Sequence, residues 1–233
     1  MMTRPPSDVS GYVLAGGKSS RMGQDKALLE LAGKPLVLRA VEKLRRVCTE
    51  VSILGSSPQL EAYAPLIRDV HEGCGPVGGI EAALLHSTKA WNFFMAVDMP
   101  FLPAGFLDGW VRRVMRQQDA RVALFTVDDV PQPALCLIHQ EVAPFVSDAV
   151  TRGRFKLFPL LVEVGKELAA RKEVSLDEVL LNLSWNGEIF EEYGAGWTPT
   201  KTQRRAQHLW FANLNTPEEF GEAEALVEML ETD

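Results

Sequence analysis

The sequence predicts an α/β fold with a mostly parallel central sheet and helices on both faces. Apolar runs of strand length alternate with amphipathic helical patterns through about the first 140 residues. Such alternation builds a sheet by crossover connections. The first run, Tyr12-Val13-Leu14, opens into a loop rich in glycine and cations. A second, strongly apolar run, Trp91–Val97, closes on Asp98. Ligands of open α/β sheets bind beyond the carboxyl ends of the strands, and both the loop and Asp98 follow such ends.

Taken in order, 1–8 is a loose lead-in and Val9–Ala15 the first strand. Leu36–Val47 has the periodicity of an amphipathic helix. Val51–Leu54 is a strand and Pro58–Ala64 a short helix. A helix starts at Gly79 after a Gly-Pro turn and runs to His86. Trp91–Val97 is a strand. Pro103–Gln118 is a helix with proline in its first turn, where the missing N–H costs nothing. Arg121–Val127 and Ala134–His139 are strands, and Phe155–Leu168 is helical. Val174–Leu183 fits both periodicities. Trp185–Ala206, polar and glycine-containing with the basic run Lys201-Thr-Gln-Arg-Arg205, is a loop or hairpin insertion. His208–Asn213 is a final strand. Thr216, Pro217 and Glu219 then form a capping box with proline at the first helical position, opening a helix that runs to about Leu230. With no repeat and no low-complexity linker, residues 9–233 read as one domain with an insertion near 185–206.

The loop Leu14-Ala-Gly-Gly-Lys-Ser-Ser-Arg-Met-Gly-Gln-Asp-Lys26 carries Gly16, Gly17 and Gly23 together with Lys18, Arg21 and Lys26. Backbone N–H groups and cations on a glycine-rich turn after a strand cradle an anion, and a nucleoside triphosphate is the obvious one. Neither common phosphate loop fits: Gln24 stands where one needs Lys, and Gly16 and Gly17 are adjacent where the other spaces its glycines. An acid closing a buried strand is costly unless paired, hydrogen-bonded or bound to metal. Mg²⁺ takes one or two carboxylates plus phosphate oxygens, so Asp98 is a candidate metal ligand, although the pattern Asp-x-Pro also favours a turn. In Cys74-Gly-Pro-Val-Gly-Gly-Ile-Glu81, Gly75 and Gly78 can bring backbone close to a ligand or simply make a tight turn.

These strings in combination resemble the nucleotidyltransferases similar to molybdenum cofactor guanylyltransferase. The loop matches L-A-G-G-x-S-x-R-M-G-x-D-K. Val97-Asp-Met-Pro-Phe-Leu-Pro103 is similar to the family's C-D-x-P segment, with Val97 for the frequent cysteine. Asn213-Leu-Asn-Thr-Pro-Glu-Glu219 resembles its N-x-N-T-P-E segment. The resemblance covers most of residues 9–158 and 208–230. It implies a Rossmann-like fold of the nucleotide-diphospho-sugar transferase type. It implies that Leu14, Ala15, Gly16, Gly17, Asp69, Gly75 and Gly78 lie on the nucleotide. It further implies Arg21 and Lys26 on the triphosphate, Mg²⁺ on Asp98, and Asn215 near the acceptor or metal. The implied reaction transfers GMP from GTP to molybdenum-bound molybdopterin and releases pyrophosphate. Transient molybdoenzyme or cofactor-insertion partners follow from the same resemblance.

One position departs. Where the family often carries histidine near the acceptor, Gln132 stands, which hydrogen-bonds but does not titrate near neutrality. Arg154 and Lys156, in a roughly matching basic segment, could meet an anionic acceptor. Two other readings therefore stand beside the first: a cytidylyl- or sugar-phosphate nucleotidylyltransferase, and a non-catalytic nucleotide-binding accessory of molybdoenzymes.

Composition bounds the rest. A net charge of -7 argues against a general nucleic-acid binder, and no apolar stretch of about eighteen residues exists to span a membrane. Three widely spaced cysteines fit reduced thiols of a cytoplasmic protein better than a disulfide framework. The four histidines lack metal-ligand spacing. A monomer or weak oligomer is expected.

Overall fold

The computed structural model describes residues 8–16, 25–185 and 197–230. Its strands are β1 (Val9–Leu14), β2 (Glu30–Leu31), β3 (Lys34–Pro35), β4 (Glu50–Leu54), β5 (Leu66–Ile67), β6 (Trp91–Ala96), β7 (Val122–Val127), β8 (Val130–His139) and β9 (Leu180–Trp185). Seven of them form one sheet in the order β5-β4-β1-β6-β8-β7-β9, and β2 and β3 make a separate ribbon. The sheet is mostly parallel, as expected. Only β8 is reversed, pairing antiparallel with β6 and β7. The β7–β8 connection is a two-residue turn, Asp128-Asp129, with φ of 47° and 62°. Positive φ at both positions matches the right-handed twist of a hairpin.

Helices α1 (Leu36–Arg45), α2 (Gly75–His86), α3 (Ala104–Val114), α4 (Ala143–Thr151), α5 (Leu157–Lys172) and α6 (Leu176–Val179) connect the strands. Side-chain alternation along β1 sends Val9 and Val13 to one face and Tyr12 to the other. The first face packs on α1 and α3 through Leu36, Val41, Leu107 and Trp110. The second packs on α2, α4 and α5 through Ile80, Val146 and Leu161. Helices thus cover both faces. The chain leaves β1 through α1 toward β4 and returns from β5 through α2 to β6, on the other side of β1. The order reverses between β1 and β6, and their carboxyl ends border the crevice this creates. No helix among the described residues is long and apolar enough to cross a membrane.

Several elements differ from expectation. The α2 helix begins at Gly75, not Gly79, so the Gly-Pro pair is its first turn. Pro103 caps α3 instead of occupying its first helical position, and the helix ends at Val114. Helix α4 is not among the expected elements, its nine residues being short for a periodicity signal. Val174–Leu183 holds both periodicities because α6 passes directly into β9. Lys201–Arg205 is helical behind a Thr200 cap, not loop.

The expected strand at His208–Asn213 is absent. The chain makes a 3-10 turn at Gln207–Leu209, and Trp210 and Phe211 are buried on the sheet's face. Ring centroids of Trp210 lie 5.2 Å from Phe106 and 5.4 Å from Trp185. The apolar run that suggested a strand is a pair of aromatic plugs in a core cluster. The last helix, Pro217–Ala225, opens on the expected capping box but stops before a 3-10 turn at Val227–Met229. Cys48, Cys74 and Cys136 are free and buried.

Candidate active site

Parallel pairing of β1 and β6 sets the loop after Leu14 beside the residues after Ala96. The Val97 N–H donates to the Leu14 carbonyl at 3.1 Å, and the Ala15 N–H to the Leu54 carbonyl at 2.9 Å. Asp98 follows immediately. Lys26 reaches it from the far end of the glycine loop. Asp25 Oδ1 accepts from the Ala27 N–H at 3.1 Å and so starts the turn Lys26–Leu28, whose Ala27 is buried. That anchor fixes the Lys26 backbone, and its ammonium forms an ion pair with Asp98 Oδ2. Both side chains are mostly shielded, with 16% and 13% of their surface exposed, so this contact is screened less than a surface pair.

A third strand of chain completes the group. The Leu214 N–H donates to the Asp98 carbonyl at 3.1 Å, which seats the C-terminal segment on the end of β6. Asn215 Oδ1 then accepts from Lys26 Nζ at 2.8 Å. The capping box holds Asn215 in place. Glu219 Oε2 accepts from the Thr216 N–H at 2.9 Å and from the Asn215 N–H, while Thr216 Oγ1 accepts from the Glu219 N–H at 3.2 Å. The donated Asn215 backbone bond keeps the Glu219 carboxyl below the usual glutamate range. Oxygens of residues 98 and 215 therefore converge on one cation.

Asp98 Oδ1 is buried and has no hydrogen-bond partner among the described residues. An orphaned carboxylate oxygen is costly in a folded protein and calls for an explanation such as an ion. An oxygen donor set that already attracts one cation suits a hard divalent ion. The residues present fit Mg²⁺.

Across β4 lies a second patch. A Cβ built on Gly78 would sit 3.1 Å from Asp69 Oδ2 and 2.9 Å from the Cys74 Cβ, and one on Gly79 would lie 3.5 Å from the Leu54 Cβ. The first turn of α2 thus packs on Leu54, the strand neighbour of Leu14, with the Asp69 carboxylate against it. Gly75 has φ +58°, a region that side chains with a Cβ avoid. Burial, and then the charge of Glu81, raise the Asp69 carboxyl above its ordinary range. Glu81 itself is 3% exposed, and its Oε2 pairs with His71 Nδ1 at 3.0 Å. The signal for this pair in the sequence is the acid in the apolar run after Gly79, which is not among the expected site residues.

Leu14, Ala15, Gly16, Lys26, Asp69, Gly75, Gly78, Asp98 and Asn215 therefore gather at one edge of the sheet. A Cβ at Gly16 would make only ordinary contacts, 3.9 Å from the Leu54 carbonyl oxygen, so packing does not demand glycine there. Gly17, Lys18, Arg21 and Gly23 lie outside the described residues, as do most of 1–8 and residues 186–196 of the insertion. Gln132 lies on β8 toward the same edge, and its amide donates locally to the Val130 carbonyl at 3.3 Å. Pro131 and Pro133 lack N–H groups there, and the β7 register shifts between Leu124 and Phe125. Arg154 contacts none of this group. Its guanidinium pairs with Asp148 at 3.1 Å and Glu163 at 2.6 Å, between α4 and α5. Lys156 caps α5.

The model of the MobA-like NTP transferase domain matches residues 11–162. A Vibrio cholerae protein named molybdenum cofactor guanylyltransferase is 35% identical over 165 residues, covering 69% of this chain and 80% of that protein. One of the same name from Serratia proteamaculans is 30% identical over 164 residues, covering 68% and 81%. Among solved structures, molybdopterin-guanine dinucleotide biosynthesis protein A from Archaeoglobus fulgidus superposes with a TM-score of 0.66 at 22% identity, over 95% of this chain and all of that one. A CMP-2-keto-3-deoxy-manno-octonic acid synthetase shares the fold at 12% identity and a TM-score of 0.60, over 95% of this chain and 99% of that one.

Proposed function

From its membership of the MobA-like NTP transferase family, to which this chain belongs, we propose that this nucleotidyltransferase moves GMP from GTP to molybdenum-bound molybdopterin. The observation that carries the reading is the Lys26 ammonium held at Asp98 and Asn215 beside the end of β1. An oxygen of the acceptor's phosphate attacks the α-phosphorus. A new P–O bond forms, the bond to the β-phosphate breaks, and pyrophosphate leaves. No protein nucleophile is required, because the acceptor phosphate is already an anion.

Lys26 neutralises charge developing on the phosphates, with Asn215 and Asp98 fixing where its ammonium stands. Backbone N–H groups after Leu14, together with Arg21, hold the triphosphate. Asp69 faces the base, with Gly75 and Gly78 admitting it close to α2. Asp98 would hold Mg²⁺, which would supply neutralisation of negative charge on the phosphates. Gln132 is the residue proposed to meet the acceptor in place of a titrating side chain. Transient contact with molybdoenzymes belongs to the same reading, since the product is a cofactor to be delivered.

Gln132 favours a second reading, transfer of a cytidylyl group or transfer to a sugar phosphate. Thermal shift with Mg²⁺ and each of GTP, ATP, CTP and UTP separates the two, because a ligand that binds the native state raises the melting point by mass action. Stabilisation by GTP alone supports guanylyl transfer. Stabilisation by CTP or UTP alone supports the second reading.

A further inference from the structure

The turn after β6 has little backbone partnering of its own. Three consecutive carbonyls, those of Asp98, Met99 and Pro100, lie in this turn, and Pro100 and Pro103 contribute no N–H. Distant donors satisfy all three. The Leu214 N–H takes Asp98 O, while Lys43 Nζ donates to Met99 O at 3.0 Å and to Pro100 O at 2.9 Å. Lys43 belongs to α1 and is 6% exposed, with Met99 and Pro100 also buried. It lies among the core residues of its helix, Ala40, Val41 and Leu44.

A lysine so placed forfeits hydration that only strong acceptors replace. Any apolar side chain would fill that core position without this cost. The ammonium donates, from one point, to both residues that follow Asp98. Their carbonyls are bound by a side chain of α1, while the Asp98 carboxylate of the same turn pairs with Lys26.

We propose that Lys43 is a positioning residue for nucleotidyl transfer: it sets the Asp98-Met99-Pro100 turn and thereby the site where Asp98 takes a divalent cation. This rests on the metal reading of Asp98. Groups behind metal ligands commonly change affinity by about 10–100-fold when lost.

The test compares wild type, Lys43→Met, Asp98→Asn and Val41→Ala, the last a core change on the same helix that leaves the turn's acceptors paired. Mn²⁺ is titrated in the presence of GTP and bound metal is read by electron paramagnetic resonance, alongside melting temperature. Lys43→Met is expected to weaken Mn²⁺ about tenfold or more, whereas Val41→Ala lowers the melting temperature and leaves Mn²⁺ affinity unchanged. Should Lys43→Met fail to fold, Lys43→Arg, which keeps donors in another geometry, carries the same comparison. Unchanged affinity in the Lys43 variant, with affinity lost in Asp98→Asn, overturns this inference alone. Unchanged affinity in Asp98→Asn overturns the metal reading and this inference with it.

Discussion

Lys26 and Asp98 stand 72 residues apart in the chain and form an ion pair at the carboxyl edge of the sheet. Each is brought there by backbone geometry that does not involve the other: a capped turn for Lys26, parallel pairing of β1 and β6 for Asp98. The pair is thus a property of the fold rather than of a flexible contact.

Asp98→Asn is expected to keep the fold and lower turnover about 100-fold or more, the scale on which single electrostatic stabilisers act. Asparagine is nearly isosteric, so the melting temperature should barely move. Pyrophosphate release at saturating nucleotide measures the effect, and near-normal turnover rejects the role assigned to this carboxylate.

Asn215→Ala removes an oxygen that holds Lys26, while Thr216→Ala removes the cap that holds Asn215. The first is expected to reduce kcat with little loss of stability. The second should cost about 1 kcal/mol, the usual worth of an N-cap. Equilibrium unfolding and steady-state kinetics distinguish them. The assignment fails if Asn215→Ala is kinetically silent.

Asp69 carries a pH signature with two signs. Burial, then the Glu81 charge, raise its folded pKa, so its ionisation opposes folding. That destabilisation sets in as pH rises above the unfolded value of about 4 and is complete above the folded one. Asp69→Asn should therefore raise the melting temperature at neutral pH, and the gain should vanish in acid. Nucleotide binding responds the other way, because only the ionised carboxylate accepts two N–H donors from a base. KM for GTP is expected to rise on acidification at a pH above the ordinary aspartate range, and this limb should be missing in Asp69→Asn. A KM profile flat through that range would remove Asp69 from the base.

Gly105→Ala tests how the insertion is seated. In a helix interior this change normally gains about 0.5–1 kcal/mol. Here a Cβ would lie 2.2 Å from the Trp197 Nε1, so the indole must leave its place on α3. Overpacking of this kind costs about 1–3 kcal/mol, and the net sign is expected to reverse to destabilisation with altered tryptophan emission. A stabilised protein with unchanged emission would show that Trp197 does not rest there.

Much of this was legible in the residues themselves, because it depends on neighbours in the chain. The apolar run Tyr12-Val13-Leu14, the proline and cap at Thr216-Pro217, and the acid closing the Trp91 run are local patterns, and local physics honoured them. The His208–Asn213 segment was misread for the same reason. Trp210 and Phe211 satisfy a strand's apolar pattern, but their burial against Phe106 and Trp185 is decided by elements about 100 and 25 residues away.

The sequence by itself determined the α/β class, and it named the loop after β1 as a candidate for anion binding and Asp98 as a candidate for metal. Those follow from periodicity, charge and residue chemistry. Only the tertiary structure decided that Asn215 shares the Lys26 ammonium with Asp98, that Arg154 is engaged by Asp148 and Glu163, and that Lys43 reaches the carbonyls after Asp98. Hydrogen bonds and ion pairs depend on distances of a few ångströms. Spacing along a chain does not fix such distances until strand order and helix packing have closed it on itself.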